Sequence, residues 1–195
     1  MIMNRRMLLT AGLAASAAAC ATGGGLVEPG AYSKAAGLSI TLGRQWSDLT
    51  FMLPNRPPNV RMLSVDGPLL NRLFVAALEP GQGLVRPLDR DTPRPIFRAD
   101  MSDTEAVEFV IDSLAAMQME APEATALRLQ AMGAAAGIRF DISTRTAQGL
   151  NLSGTALIAR SDERLRALIY IAPSEHYYAA LLPEVEQILA SAAAA

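Results

Sequence analysis

Beyond Val27 the hydrophobic and polar positions divide the chain into strand patterns, one helix, more strand patterns and a helical end. Leu38, Ile40 and Leu42 are separated by Ser39 and Thr41, so this segment has one apolar and one polar face. A second short extended run carries Trp46, Leu49, Phe51 and Leu53 and is closed by Pro54 and Pro57-Pro58, which cannot donate to a sheet ladder. Residues 60–65 and 72–78 read as further strands on either side of Asp66-Gly67-Pro68, a turn whose glycine tolerates the positive φ of a tight reversal. Pro80-Gly81-Gln82-Gly83 ends that run. Pro87, Pro93 and Pro95 then predict an extended connection across the surface over residues 86–98.

At Ser102 the period changes. The Ser102 hydroxyl can cap a first helical turn while Glu105 reaches back to the cap, and Asp103 suits the positive helix end. Val107, Val110, Ile111, Leu114 and Met117 recur at helical spacing, which requires an apolar partner such as the sheet, and Pro122 stops the helix by Ala121. Leu127 and Leu129 alternate with Arg128 and Gln130, but the alanine-rich flanks leave this piece open between strand and helix. Ile138, Phe140 and Ile142 give the cleanest strand pattern. Residues 150–159 follow after Gln148-Gly149, and residues 165–172 after Asp162-Glu163. Such short connections imply antiparallel neighbours. A turn of helix is expected from Pro173-Ser174-Glu175, and Pro183 at a first helical position should open a terminal helix carrying Val185, Ile188 and Leu189. The sum is an α+β fold in which a middle helix and a C-terminal helix pack on an antiparallel sheet of about six to seven strands.

The N-terminus adds a destination. Asn4-Arg5-Arg6 is a positive n-region, residues 7–19 are an apolar stretch too short for a stable membrane anchor, and Ala17-Ala18-Ala19-Cys20 is a small-residue cleavage site. The segment resembles a bacterial lipoprotein signal, although Ala17 stands where leucine is favoured. Residues 1–19 are thus expected to be removed, Cys20 to carry the lipid, and residues 20–31 to form a tether before a single domain over 32–193. Ordinary cleavage after Ala-x-Ala is the other reading, and it would leave a free thiol in an oxidising space. The Arg5-Arg6 pair before Met7-Leu8-Leu9 also suits a twin-arginine signal. No Asp follows Cys20, which fits the periplasmic side of the outer membrane better than the inner. Several acyl chains, palmitate among them, would anchor the chain without a transmembrane helix.

Loss of Arg5 and Arg6 leaves fifteen basic and nineteen acidic residues, a net charge of −4, so nothing attracts nucleic acid. The 51% hydrophobic content suits one domain with its own core. His176 is the sole histidine and Cys20 the sole cysteine, so imidazole and thiolate metal clusters are excluded and no cofactor is expected. A hydrolase would need His176 as base, with Ser174 nearby, but there is no Gly-x-Ser-x-Gly elbow; no catalytic residue is assigned. Tyr170, His176, Tyr177, Tyr178 and Trp46 are the candidate binding patch, with core packing at a helix start as the competing reading. Arg86, Arg90, Arg94 and Arg98 recur every fourth residue, but the intervening prolines forbid the helix that would align them, and Asp89 and Asp91 favour a solvated loop. Gly81-Gln82-Gly83 lacks the helix and lysine of a phosphate loop. The pairs Glu105-Glu108 and Glu184-Glu186 read as exposed helix faces. Met117, Met119 and Met132 can fill core gaps or soften a groove.

The order of strands, middle helix, meander through Gly154-Thr155-Ala156 and Leu168-Ile169-Tyr170, then Tyr177-Tyr178 and a final helix near Ser191, resembles the PsbP/Mog-like α+β sandwich. Trp46-Ser47-Asp48 and the stretch from Asp66 to Asn71 are similar to segments of small proteobacterial lipoproteins. The resemblance implies an accessory or assembly factor without a shared active site, joined to the membrane by its lipid and to an envelope protein partner. A carrier of a small hydrophobic ligand, with an apolar groove between the sheet and the Ser102 helix, is the alternative.

Overall fold

The computed structural model describes residues 24–35, 37–86, 91 and 94–194. The signal segment and Cys20 lie outside these residues. The strands are β1 (Gly25–Val27), β2 (Gly30–Ala35), β3 (Leu38–Leu42), β4 (Trp46–Asp48), β5 (Val60–Ser64) and β6 (Arg72–Leu78), then β7 (Met119–Leu129), β8 (Gly137–Thr146), β9 (Asn151–Ser161) and β10 (Arg164–Pro173). The helices are α1 (Asp103–Ala116) and α2 (Tyr177–Ser191). Eight strands form one antiparallel sheet in the order β1-β4-β5-β6-β10-β9-β8-β7, and β2 and β3 form a separate hairpin. The sheet is slightly larger than the pattern predicted, because the ordered fold starts inside the stretch read as tether: Gly25 to Val27 pair with Asp48 to Trp46.

The middle of the sheet is apolar on both faces. In β10, Leu165, Ala167, Ile169 and Ile171 face one core, while Leu168, Tyr170 and Ala172 face the other. In β6, Phe74, Ala76 and Leu78 oppose Leu73, Val75 and Ala77 in the same way. Each face needs a cover. Ala106, Val107, Phe109, Val110 and Leu114 of α1 close the first, and Leu181, Val185, Ile188 and Leu189 of α2, with Leu38, Ile40 and Leu42 of the hairpin, close the second. The hairpin and α2 are stitched together by main-chain bonds between Ser39 and Ala193 at 2.9 and 3.0 Å, and by Gly43 N–H donating to Glu184 at 2.8 Å.

The α1 cap forms as expected: Ser102 accepts from the Glu105 amide and the Glu105 carboxylate accepts from the Ser102 amide. That pairing holds the Glu105 carboxyl below its usual range. Three local expectations are corrected. The run after Trp46 is a strand of three residues followed by a 3-10 turn over Thr50–Met52, in which the Thr50 amide donates to Asp48 at 3.0 Å. The ambiguous piece around Leu127 is part of a long edge strand, whose alternation is broken by register shifts near Ala121 and Ala126. Both have positive φ, at 46° and 50°, and with Pro122 they bend the edge and blunt it against further pairing. Finally, α2 begins at Tyr177 with Pro183 in its interior; the carbonyl that loses its partner is that of exposed Ala179, which water can reach.

Glu184 and Glu186 are not merely an exposed helix face. Glu186 accepts a forked pair of bonds from Arg139 of β8, whose side chain is 8% exposed against 44% for the glutamate. Hydrogen bonding to Arg139 holds the Glu186 carboxyl below its ordinary value. A depressed folded value means that the pair stabilises the fold above the unfolded value of about 4.3 and that this contribution is lost as pH falls through the folded one. Glu186→Gln should therefore lower stability at neutral pH by about 1–2 kcal/mol, the half-exposed glutamate limiting the loss. Denaturation at pH 7 and pH 3 should show the gap between wild type and variant closing at the lower pH.

Candidate functional site

Of the five residues read as a binding patch, Tyr170, His176, Tyr177 and Tyr178 come together at the start of α2, but two of the five are buried. Trp46 and Tyr170 are 1% and 0% exposed and belong to the α2-side core. The Tyr170 hydroxyl donates to the Tyr177 carbonyl at 3.0 Å, and its ring stacks on Tyr178 at 5.6 Å between centroids, so both rings hold α2 on the sheet. Burial raises both phenols above their ordinary range. Tyr177 is half-buried, and His176 is exposed with its ring edge-on to Tyr177 at 5.2 Å. Ser174, the nearby hydroxyl, shares a hydrogen bond of 2.8 Å with Ser153 instead of reaching an imidazole. Among the described residues no group of three or more His, Cys, Asp or Glu side chains is placed to hold a metal.

His176 has a structural oddity. It sits at φ 68° and ψ −62°, with the Tyr177 amide donating to the Glu175 carbonyl at 2.8 Å across it. This is the strained γ-turn that side chains with a Cβ avoid. His176→Gly is expected to leave the thermal midpoint unchanged or raise it, since about 1–3 kcal/mol of strain outweighs about 0.5–1 kcal/mol of added backbone entropy. Scanning calorimetry reads the outcome.

A concave site does exist, at the C-terminal end of α1. Here Ala116 and Met117 end the helix cover, and the exposed core face is walled instead by the 3-10 turn and the proline-rich loop after it. The cleft encloses about 270 Å³. Leu53, Met62, Phe74 and Leu84, all members of the α1-side core, form its floor, and exposed Met52 and Leu69 stand at its rim. The loop wall is held in place by Asn55, whose side-chain amide donates to the Arg86 carbonyl at 3.2 Å, and by Asn59, whose amide reaches Gln82 at 3.4 Å. Asn55, Arg56 and Asn59 take positive φ there, a conformation that asparagine tolerates better than most residues.

Two charges line this apolar space, Arg72 and Arg86, and no acid does. Arg72 shares its strand parity with Phe74, so its guanidinium points into the α1 side of the sheet. Burial lowers its pKa, because no carboxylate offsets the cost of desolvation. The Arg86 Nε is buried and has no hydrogen-bond partner among the described residues. The sequence reading missed Arg72, although a charged residue on the apolar parity of a strand was the available signal. It placed Arg86 in a solvated loop. The connection is in fact anchored: Phe97 is 1% exposed, packs edge-on against Phe109 at 6.4 Å, and exchanges main-chain bonds of 2.8 and 2.9 Å with Gln82 and Gly81. Gly83 earns its place by close approach, since a Cβ there would lie 2.5 Å from the Pro95 carbonyl.

No protein-family model matches this chain, and no curated protein does. Solved structures do share its architecture. The solution structure of the cyanobacterial PsbP (CyanoP) of Synechocystis superimposes with a TM-score of 0.56 at 10% identity, over 94% of this chain and 99% of that one. The Ran-binding protein Mog1p of Saccharomyces cerevisiae does so at 0.52 and 11% identity, over 87% and 94%. A point mutant of Mog1 scores 0.50 at 12% identity over the same shares. Identity this low carries no site residue across and shows the fold alone. By element order, sheet topology and these superpositions, the chain has the PsbP/Mog1-like α+β fold.

Proposed function

We propose that this protein is a non-catalytic binding protein of the cell envelope, tethered through a lipid on Cys20, that holds an apolar ligand in the cleft at the end of α1. The single observation that carries this reading is that cleft: a mostly apolar concavity open to solvent and floored by residues of the α1-side core. Apolar walls with a few placed polar groups are the usual make-up of a small-molecule site. His176 is exposed and the Ser174 hydroxyl is bonded to Ser153, an arrangement compatible with binding. An accessory role with an envelope protein partner suits the same site, because Met52 and Leu69, 49% and 84% exposed, leave an apolar rim at its mouth. Among the described residues no helix is long and apolar enough to cross a membrane, so attachment in this reading rests on the lipid.

Two measurements test the proposal separately. Mass spectrometry of native material should find Cys20 as an acylated N-terminal residue, and Cys20→Ala should move the protein out of the membrane fraction. An unmodified, freely diffusing mature chain would overturn the anchor. The neutral fluorophore N-phenyl-1-naphthylamine should bind saturably with enhanced emission. Ala116→Trp, which fills the cleft from the half-buried helix end without deleting core atoms, should weaken that binding about tenfold, or about 1.4 kcal/mol. Equal binding by the two proteins would remove the cleft from the function.

A further inference from the structure

We infer that the cleft takes a single-chain amphiphile with an anionic head, a carboxylate or a phosphate, whose tail lies on the Leu53, Met62, Phe74 and Leu84 floor and whose head is held by Arg72 and Arg86. This rests on the cleft reading above and specifies its ligand.

The argument starts from how this chain treats its arginines. Seven others each meet a carboxylate within 3.5 Å, including Arg139 and Arg166, the most buried of them. Arg166 also donates to the Gly37 carbonyl at 2.6 Å and to Ser161. Partly buried Arg72 and Arg86 have neither a carboxylate nor any hydrogen bond to the guanidinium among the described residues. A guanidinium withdrawn from water without a partner is costly, and here two share the wall of one apolar cleft. An anion would satisfy both. Guanidinium forks match carboxylate and phosphate oxygens, and a charge-assisted bond in a desolvated site is stronger than one in water.

The walls set the rest of the ligand. They carry no acid and are mostly apolar, which disfavours a sugar or a free phosphate as the whole ligand. The volume of about 270 Å³ lies at the small end of ligand sites. It favours one short alkyl chain over the two of a phospholipid, and a longer chain would leave its end at the apolar rim of Met52 and Leu69.

The test compares decanoate, decyl phosphate and 1-decanol by calorimetric titration and by displacement of N-phenyl-1-naphthylamine, using the whole mature protein. At least one of the two acids should bind about tenfold or more tightly than the alcohol, and which one does so distinguishes a fatty-acid source from a lysolipid-type phosphate. In the R72Q/R86Q double variant that advantage should fall to about twofold or less, with decanol binding unchanged. The same variant should keep or raise its thermal midpoint, because the removed charges have no partner in the unliganded protein. Equal binding of acid and alcohol, or an advantage that survives in the double variant, overturns the anionic ligand while leaving the apolar cleft in place. Failure of all three amphiphiles and of the neutral fluorophore overturns the cleft reading as well.

Discussion

Everything in this fold follows from a sheet whose central strands are apolar on both faces. A strand such as β10, with Leu165, Ala167, Ile169 and Ile171 on one side and Leu168, Tyr170 and Ala172 on the other, cannot leave either side in water. At roughly 25 cal/mol per Å² of apolar surface, burying both sides is the main force holding the layers together. The first is covered mainly by α1. The second is covered by α2 and the β2-β3 hairpin jointly, which is why those two elements are joined through Ser39, Gly43, Ala193 and Glu184.

Several polar side chains within these layers have partners. Arg139 meets Glu186 and Thr155, Arg166 meets Gly37 and Ser161, and the Tyr170 hydroxyl meets a carbonyl at the start of α2. The contacts with Glu186, Gly37 and the start of α2 link the sheet to its second cover. They give the α2 layer a fixed seat, since a buried polar group that lost its partner would cost more than the bond itself contributes.

The first cover is incomplete. A helix of fourteen residues spans about 21 Å, and beyond Ala116 the sheet is closed only by the proline-rich loop and the segment through Leu84 and Val85. That shortfall makes the cleft. Arg72 emerges from β6 at this point and Arg86 from the connection, so the open end of the core is also where positive charge stands unbalanced. The shared PsbP/Mog1-like fold says nothing of this feature at about one-tenth identity, and the site has to be argued from this chain's own residues.

Much of the scaffold was readable from the chain alone. Two-residue alternation marked β3 and β8, apolar runs between turn signals marked β5, β6, β9 and β10, and the Ser102-Glu105 pair marked the start of α1, because these signals depend on neighbours within a few residues. The edge strand β7 was ambiguous because bulges at Ala121 and Ala126 shift its parity twice. Pro183 misled because helix starts favour proline, whereas Tyr178 and Leu181 pack on the sheet and pull the preceding turn into α2. The burial of Trp46 and Tyr170 was hidden for a related reason: they look the same in a sequence whether they face solvent or a core. Local pattern thus determined which residues extend, coil and turn. Only the tertiary structure decided which arginines find a carboxylate and which two are left in an apolar cleft, because that depends on segments far apart in the chain meeting within a few ångströms.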